Sequence, residues 1–217
     1  MNAVAHFWTA LRNPGVPPRG LPVFAGAVLG GTVVLLAVLV WLGLRDSGNP
    51  ARHFGEARAG TYYSGILLGA SALLSLAIAR RLAGRPLAKF WLGACAGFLF
   101  LAADELALIH EGVDRWIHAR LGWDPDHPIT DHIDDAIVVL YGVIALGWAF
   151  RYREALLRLR WATRLLSVAF VAFVGTEALD VVDVGKALEE SLKVASEALI
   201  VVGLFAALQD PTLADPP

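Results

Sequence analysis

Six apolar stretches, each close to the ~20 residues a helix needs to cross the hydrocarbon core of a bilayer, take up most of this chain. They fall at about residues 21–44, 62–79, 90–109, 133–150, 161–182 and 191–208. The first is too long for the apolar region of a secretion signal and lacks a small-residue cleavage site, so it reads as a retained span. At 57% hydrophobic and 18% charged residues, the chain is too apolar for an ordinary soluble domain of 217 residues. The expected fold class is all-α, a polytopic membrane protein with six transmembrane helices.

The charges orient those helices. Arg12, Arg19, Arg80, Arg81, Arg85, Lys89, Arg151, Arg153, Arg158, Arg160 and Arg164 share one face with only Glu154, Asp210 and Asp215. The opposite face holds the other seven basic residues and the other seventeen acids. Short loops rich in Lys and Arg stay in the cytoplasm, so both termini are expected there and the acidic face outside or in the periplasm. The tryptophans agree. Trp8, Trp91, Trp148 and Trp161 mark the inner interface, and Trp41, Trp116 and Trp123 the outer one. A plasma or inner membrane is the expected location. Cys95 has no cysteine partner in the chain and leaves the redox compartment open.

Three parts are expected along the chain: an inner-surface segment at 1–20, the bundle at 21–208 and a flexible tail at 209–217. The loop at 45–60 is polar and reads as mobile. The third span is expected to run on as an amphipathic helix through Arg120 and to stop at Gly122. Thr130 or Asp131 can cap the fourth. Gly185 allows only a short connection between the last two spans, which makes them antiparallel neighbours.

Ionisable residues inside spans are expensive and serve as markers of function. An unbroken helix would bring Asp104, Glu111, Asp114 and His118 into a sector of about 80°, with His110 at its edge and Glu105 pointing elsewhere. The fourth span opens with Asp131, His132, Asp134 and Asp135. The fifth carries Glu177, Asp180 and Asp183 at i, i+3, i+6, and the sixth Glu190, Lys193 and Glu197 at i, i+3, i+7. Counting rise per residue, Glu177 and Glu197 lie roughly 18 Å above the inner boundary, and Asp104 and Asp180 roughly 22 Å. Carboxylates from three spans thus reach similar layers in the outer half of the bilayer. Gathered carboxylates need protons, a metal or basic side chains to neutralise them, and Lys193 is one counter-ion among many acids.

Carboxylates and imidazoles on facing helices are the ligands of Zn, Fe or Mn centres in helical bundles. The expected ligands are Asp104, His110, Glu111, His132, Asp135, Glu177, Asp180 and Glu197, with Glu111 or Glu177 as the spare general base. Lys193, Glu190 and Glu105 would tune the charge. The helical Glu-x-x-His and His-Glu-x-x-His patterns are both absent. The expected function is an outward-facing site for a divalent metal or other cation, serving a metal-dependent enzyme that acts on a lipophilic substrate. A cation or proton transporter is the first alternative. A non-catalytic subunit or binding module of a membrane complex, with an oligomer as one form, is the second. Membrane lipids are the expected surroundings. No glycine-rich phosphate loop is present, and topology accounts for the basic loops, so nucleotide and nucleic-acid roles are not expected.

Overall fold

The computed structural model describes residues 12, 15–55, 57–123, 133–181 and 185–213, with the backbone alone at 134, 135, 177, 178, 180 and 181. Every regular element in them is helical. The order is α1 (Leu21–Ser47), α2 (Ala59–Arg81), α3 (Pro86–Ala107), α4 (Ile109–Leu121), α5 (Ile133–Arg151), α6 (Arg153–Leu156), α7 (Arg160–Val181) and α8 (Lys186–Leu208). A 3-10 turn, Pro211–Leu213, follows α8. Helices α1, α2, α3 and α8 are long and apolar enough to cross a membrane. α5 has a shorter apolar stretch, Ala136–Arg151. α7 falls outside both groups, and it has Arg160 and Arg164 at one end and Glu177 and Asp180 at the other.

Local chemistry sets the ends. Pro86 takes the first helical position of α3, where a missing N–H costs nothing. Gly48 closes α1 in the left-handed conformation and returns its N–H to Leu44. Gly122 closes α4 in the same conformation, at the expected residue. The loop after α1 is folded down rather than loose. Phe54 is buried beneath it, the Gly60 N–H bonds the His53 carbonyl, and the Thr61 hydroxyl bonds the Gly55 carbonyl. A Cβ on Gly43 would meet the Asn49 carbonyl oxygen at 2.5 Å, so glycine is what lets the loop lie against α1.

Helices α2, α3, α7 and α8 pack where the end of α2 and the starts of α3 and α7 carry basic residues. Ile78, Leu82, Trp91, Leu159, Ala162, Leu204 and Leu213 form one buried apolar cluster there. α2 and α3 are an antiparallel pair, with Gly65 against Leu106 near one end. α7 and α8 are another, with Gly203 against Leu165 and Leu166 and Gly175 against Leu192. These glycines let the helix backbones approach. α8 lies between α7 and α2, and α1 packs on it through Phe24, stacked on Phe205 at 4.0 Å between ring centroids. Leu213 is buried in the cluster, and the Arg85 guanidinium donates to its carbonyl at 2.8 Å.

Outward faces are apolar. Val33, Val34, Leu73, Leu99, Val143, Ile144 and Val171 are all exposed, and so much uncovered aliphatic surface is consistent with a membrane protein. α5 is the least enclosed of the long helices. It touches α3 through Tyr141, edge-on to Phe100, and through Trp148, whose indole N–H bonds the Phe90 carbonyl at 3.3 Å.

Candidate functional site: an interhelical charge network

The middle of α8 carries the site. Glu190, Lys193 and Glu197 recur at helical spacing and share one face. The Lys193 ammonium lies 3.0 and 3.3 Å from the two oxygens of Glu105 on α3 and 3.1 Å from Oε2 of Glu190. One turn further, Glu197 is 5% exposed. Its Oε1 accepts a 2.7 Å hydrogen bond from the fully buried Ser64 hydroxyl on α2. Its Oε2 is buried and has no hydrogen-bond partner among the described residues. Lys193, Glu105 and Glu190 are its electrostatic neighbours. Three helices therefore place three carboxylates around one ammonium and one hydroxyl. Lys193, Glu105 and Glu190 keep 23%, 16% and 14% of their side chains exposed, so the network has an open side, whereas Glu197 is its closed end.

The break between α3 and α4 separates two residues expected to act together. Leu108 adopts a left-handed backbone, φ 54°, which ends α3 and redirects the chain. Asp104 bridges this break. Its Oδ1 accepts the His110 backbone N–H at 2.8 Å, and its Oδ2 lies 3.0 Å from His110 Nδ1. The carboxylate thereby serves as an N-terminal cap for α4. The common face expected for Asp104, Glu111, Asp114 and His118 assumed a continuous helix, and the turn at Leu108 removes it. Asp104 is committed to His110, and Glu105, expected to point elsewhere, reaches the network instead.

On α4, Glu111 pairs with Arg115 at 3.2 Å, and Asp114 with His118 at 3.0 Å. His118 is 6% exposed, and its Nε2 has no hydrogen-bond partner among the described residues. Neither pair joins Lys193. Of the expected site, the structure brings together Glu105, Glu190, Lys193 and Glu197, and it sets Asp104, His110 and Glu111 apart from them. The expectations for His132, for the side chains of Asp135, Glu177 and Asp180, and for a cap at Thr130 or Asp131 lie outside the described residues. Among the described residues no group of three or more His, Cys, Asp or Glu is placed to hold a metal ion. Lys193 offers a reason, since its ammonium sits on Glu105 and Glu190, two of the nearest carboxylates.

Ser64 was not expected in the site. A signal for it exists in the sequence, because Ser64, Ser71 and Ser75 recur at i, i+7, i+11 within an apolar helix, and all three are buried. Ser71 bonds the Leu67 carbonyl of its own helix, whereas Ser64 turns its hydroxyl outward to α8.

A bundle of apolar helices with a charge network set between three of them defines a class, membrane-type helical proteins with an internal polar site. The chain belongs to the family described as a domain of unknown function (DUF8692), whose model matches residues 21–208, from the start of α1 to the end of α8. No curated protein and no solved structure matches it.

Proposed function

We propose that this chain is an integral membrane protein of six spans, with both termini in the cytoplasm and its acidic side outside. Its outer half would hold a cation-binding site built from Glu105, Glu190, Glu197 and Ser64 around Lys193. The direction of the helices supports the topology. α1, α3 and α7 run from the basic end to the acidic end, while α2 and α8 run back. The buried cluster at the basic end joins the start of α7, through Leu159 and Ala162, to Ile78, Leu82 and Leu204 of α2 and α8. α5 and α7 then cross as a pair, although one is short and the other bears charge at both ends.

One observation carries the functional reading: two carboxylates hold a single ammonium, and a third, more buried beside them, keeps an oxygen without a donor. Burying charge without full compensation is costly, and sites that retain it are used for binding. The apolar cluster at the basic end separates this network from the cytoplasmic side, which favours a binding site open to the outside over a continuous ion path. The test is thermal unfolding of the purified full chain in detergent, starting cation-free and titrating cations of different charge. Saturable stabilisation in the wild type that is missing from Glu197→Gln supports the site. Identical responses of the two proteins to every cation, protons included, would remove it.

A metal-dependent enzyme acting on a lipophilic substrate is the second reading, favoured by the two histidines of α4. His110 and His118 each have Nδ1 held by a carboxylate, the arrangement that readies Nε2 as a ligand. The two are too far apart along α4, roughly 12 Å of helix rise, to share one ion. Elemental analysis tests this reading. Stoichiometric Zn, Fe or Mn that disappears in His110→Ala or His118→Ala would support the metal site that this reading needs, and metal-free protein would set it aside.

A further inference from the structure

We infer that the exchangeable cation of the charge network is a single proton, taken by the free Oε2 of Glu197. The inference rests on the cation-site reading above and names the class of ion. Clustered acids alone would not carry it, because pairing among themselves could explain them. The independent observation is the unpartnered Glu197 oxygen, on a residue 5% exposed and already oriented through its other oxygen by Ser64.

The supply of free oxygens then selects the ligand. Lys193 engages both oxygens of Glu105 and Oε2 of Glu190, so those carboxylates already have a fixed cation. Mg²⁺ keeps near-octahedral coordination with several waters, and Ca²⁺ gathers six to eight oxygens. Zn²⁺, Fe²⁺ and Mn²⁺ require three or more protein ligands, and the described residues provide no such group. Alkali ions likewise gather several oxygens, whereas a proton needs only the single unused oxygen that Glu197 offers.

The surroundings of Glu197 bear on any response to pH. α2 presents Ser64, α3 presents Glu105, and α8 itself presents Glu190 and Lys193. The buried hydroxyl of Thr32 on α1 is engaged with Tyr63, 2.8 Å away, and α1 adds no charged group there. α7 passes alongside α8, and Gly175 meets Leu192 near the level of Lys193. Lys193 is in this sense a tethered competitor, a cation that cannot leave and that holds the neighbouring acids away from the ligand.

The experiment uses the full chain in detergent, in choline chloride at fixed ionic strength. Li⁺, Na⁺, K⁺, Mg²⁺, Ca²⁺ and Zn²⁺ are titrated separately while Tm is read, for the wild type and Glu197→Gln. An alkali ion that raises Tm saturably in the wild type alone overturns the inference on ion class and leaves the cation site standing. Infrared difference spectra across a pH titration above the ordinary carboxylate range should show a carboxylic-acid carbonyl band that Glu197→Gln lacks, which identifies the proton. Stabilisation by Mg²⁺, Ca²⁺ or Zn²⁺ that depends on Glu197 overturns the inference on ion class and leaves the cation site standing. No Glu197-dependent response to any ion or to protons overturns both. Should Glu197→Gln fail to fold, Ser64→Ala takes its place. It keeps the carboxylate, and the inference requires it to shift the midpoint of whichever titration responds.

Discussion

Ser64 contributes one hydroxyl, and that hydroxyl is the only hydrogen-bond donor that reaches Glu197 among the described residues. Ser64→Ala would leave both oxygens of a buried carboxyl group without a partner, a loss of about 1–3 kcal/mol. The check is reversible unfolding of the detergent-solubilised protein, run as a double-mutant cycle with Glu197→Gln. The two substitutions should be strongly non-additive, because they break the same contact, and additive effects would mean that the bond contributes nothing. Lys193 poses the converse case. Lys193→Met leaves Glu105 and Glu190 side by side without their ammonium, and removing one partner of a buried ion pair costs about 3–5 kcal/mol. Adding Glu105→Gln and Glu190→Gln to that variant should restore most of the loss, as judged by the unfolding midpoint. At this scale the α8 triplet was legible in the sequence, because its spacing alone puts Glu190, Lys193 and Glu197 on one face. Which α3 acid answers Lys193 was not legible, since Asp104 and Glu105 are adjacent and only the real path of the backbone separates them.

That path turns at Leu108, and the element scale is where the sequence misled. Nothing at 104–112 announces a break: no proline is present, Gly112 lies beyond the turn, and leucine disfavours the left-handed region by roughly 1–2 kcal/mol. The compensation comes from Asp104, which takes both a backbone and a side-chain bond from His110. An extrapolation at 100° per residue through this point rotates every later side chain wrongly, so the acids of α4 were assigned to the interior site. They pair instead on α4 itself, Glu111 with Arg115 and Asp114 with His118. α4 also has an apolar stripe, Ile109, Val113 and Trp116, exposed at i, i+4, i+7. With Arg115 and Arg120 nearby, the stripe suits the membrane interface, where amphipathic helices lie. Asp104→Ala removes the cap and should cost about 0.5–2 kcal/mol locally. Hydrogen exchange at the amides of residues 109–113 should accelerate, while the α8 amides stay as protected as in the wild type. Equal acceleration in α8 would mean that Asp104 supports the whole bundle rather than the break.

For the whole molecule, charge placement and packing point the same way through separate physics. The basic residues gather at the end of α2 and the starts of α3 and α7, and the tightest apolar cluster lies between those ends and the end of α8. The boundaries of the long helices could be read from apolar length within a few residues, because hydrocarbon thickness fixes that length. The number of crossings is harder to read, since α5 is short and α7 bears charge, and a bundle of four crossings would use α1, α2, α3 and α8 alone. The two arrangements differ in one loop. With six crossings, Glu154 and Arg153 of α6 share the cytoplasmic side with Ala83; with four, α5, α6 and α7 all lie outside. Single cysteines placed in a Cys95→Ser background decide between them, with a membrane-impermeant maleimide applied to intact cells. Asn49→Cys should react at once, whereas Ala83→Cys and Glu154→Cys should react only after the membrane is opened. Immediate labelling of Glu154→Cys beside a protected Ala83→Cys would put five arginines, Arg151 to Arg164, on the outer side. That outcome would overturn the six-span reading, and the apolar packing of Leu159 and Ala162 against Ile78 and Leu82 of α2 and Leu204 of α8 gives the physical reason to expect the other one.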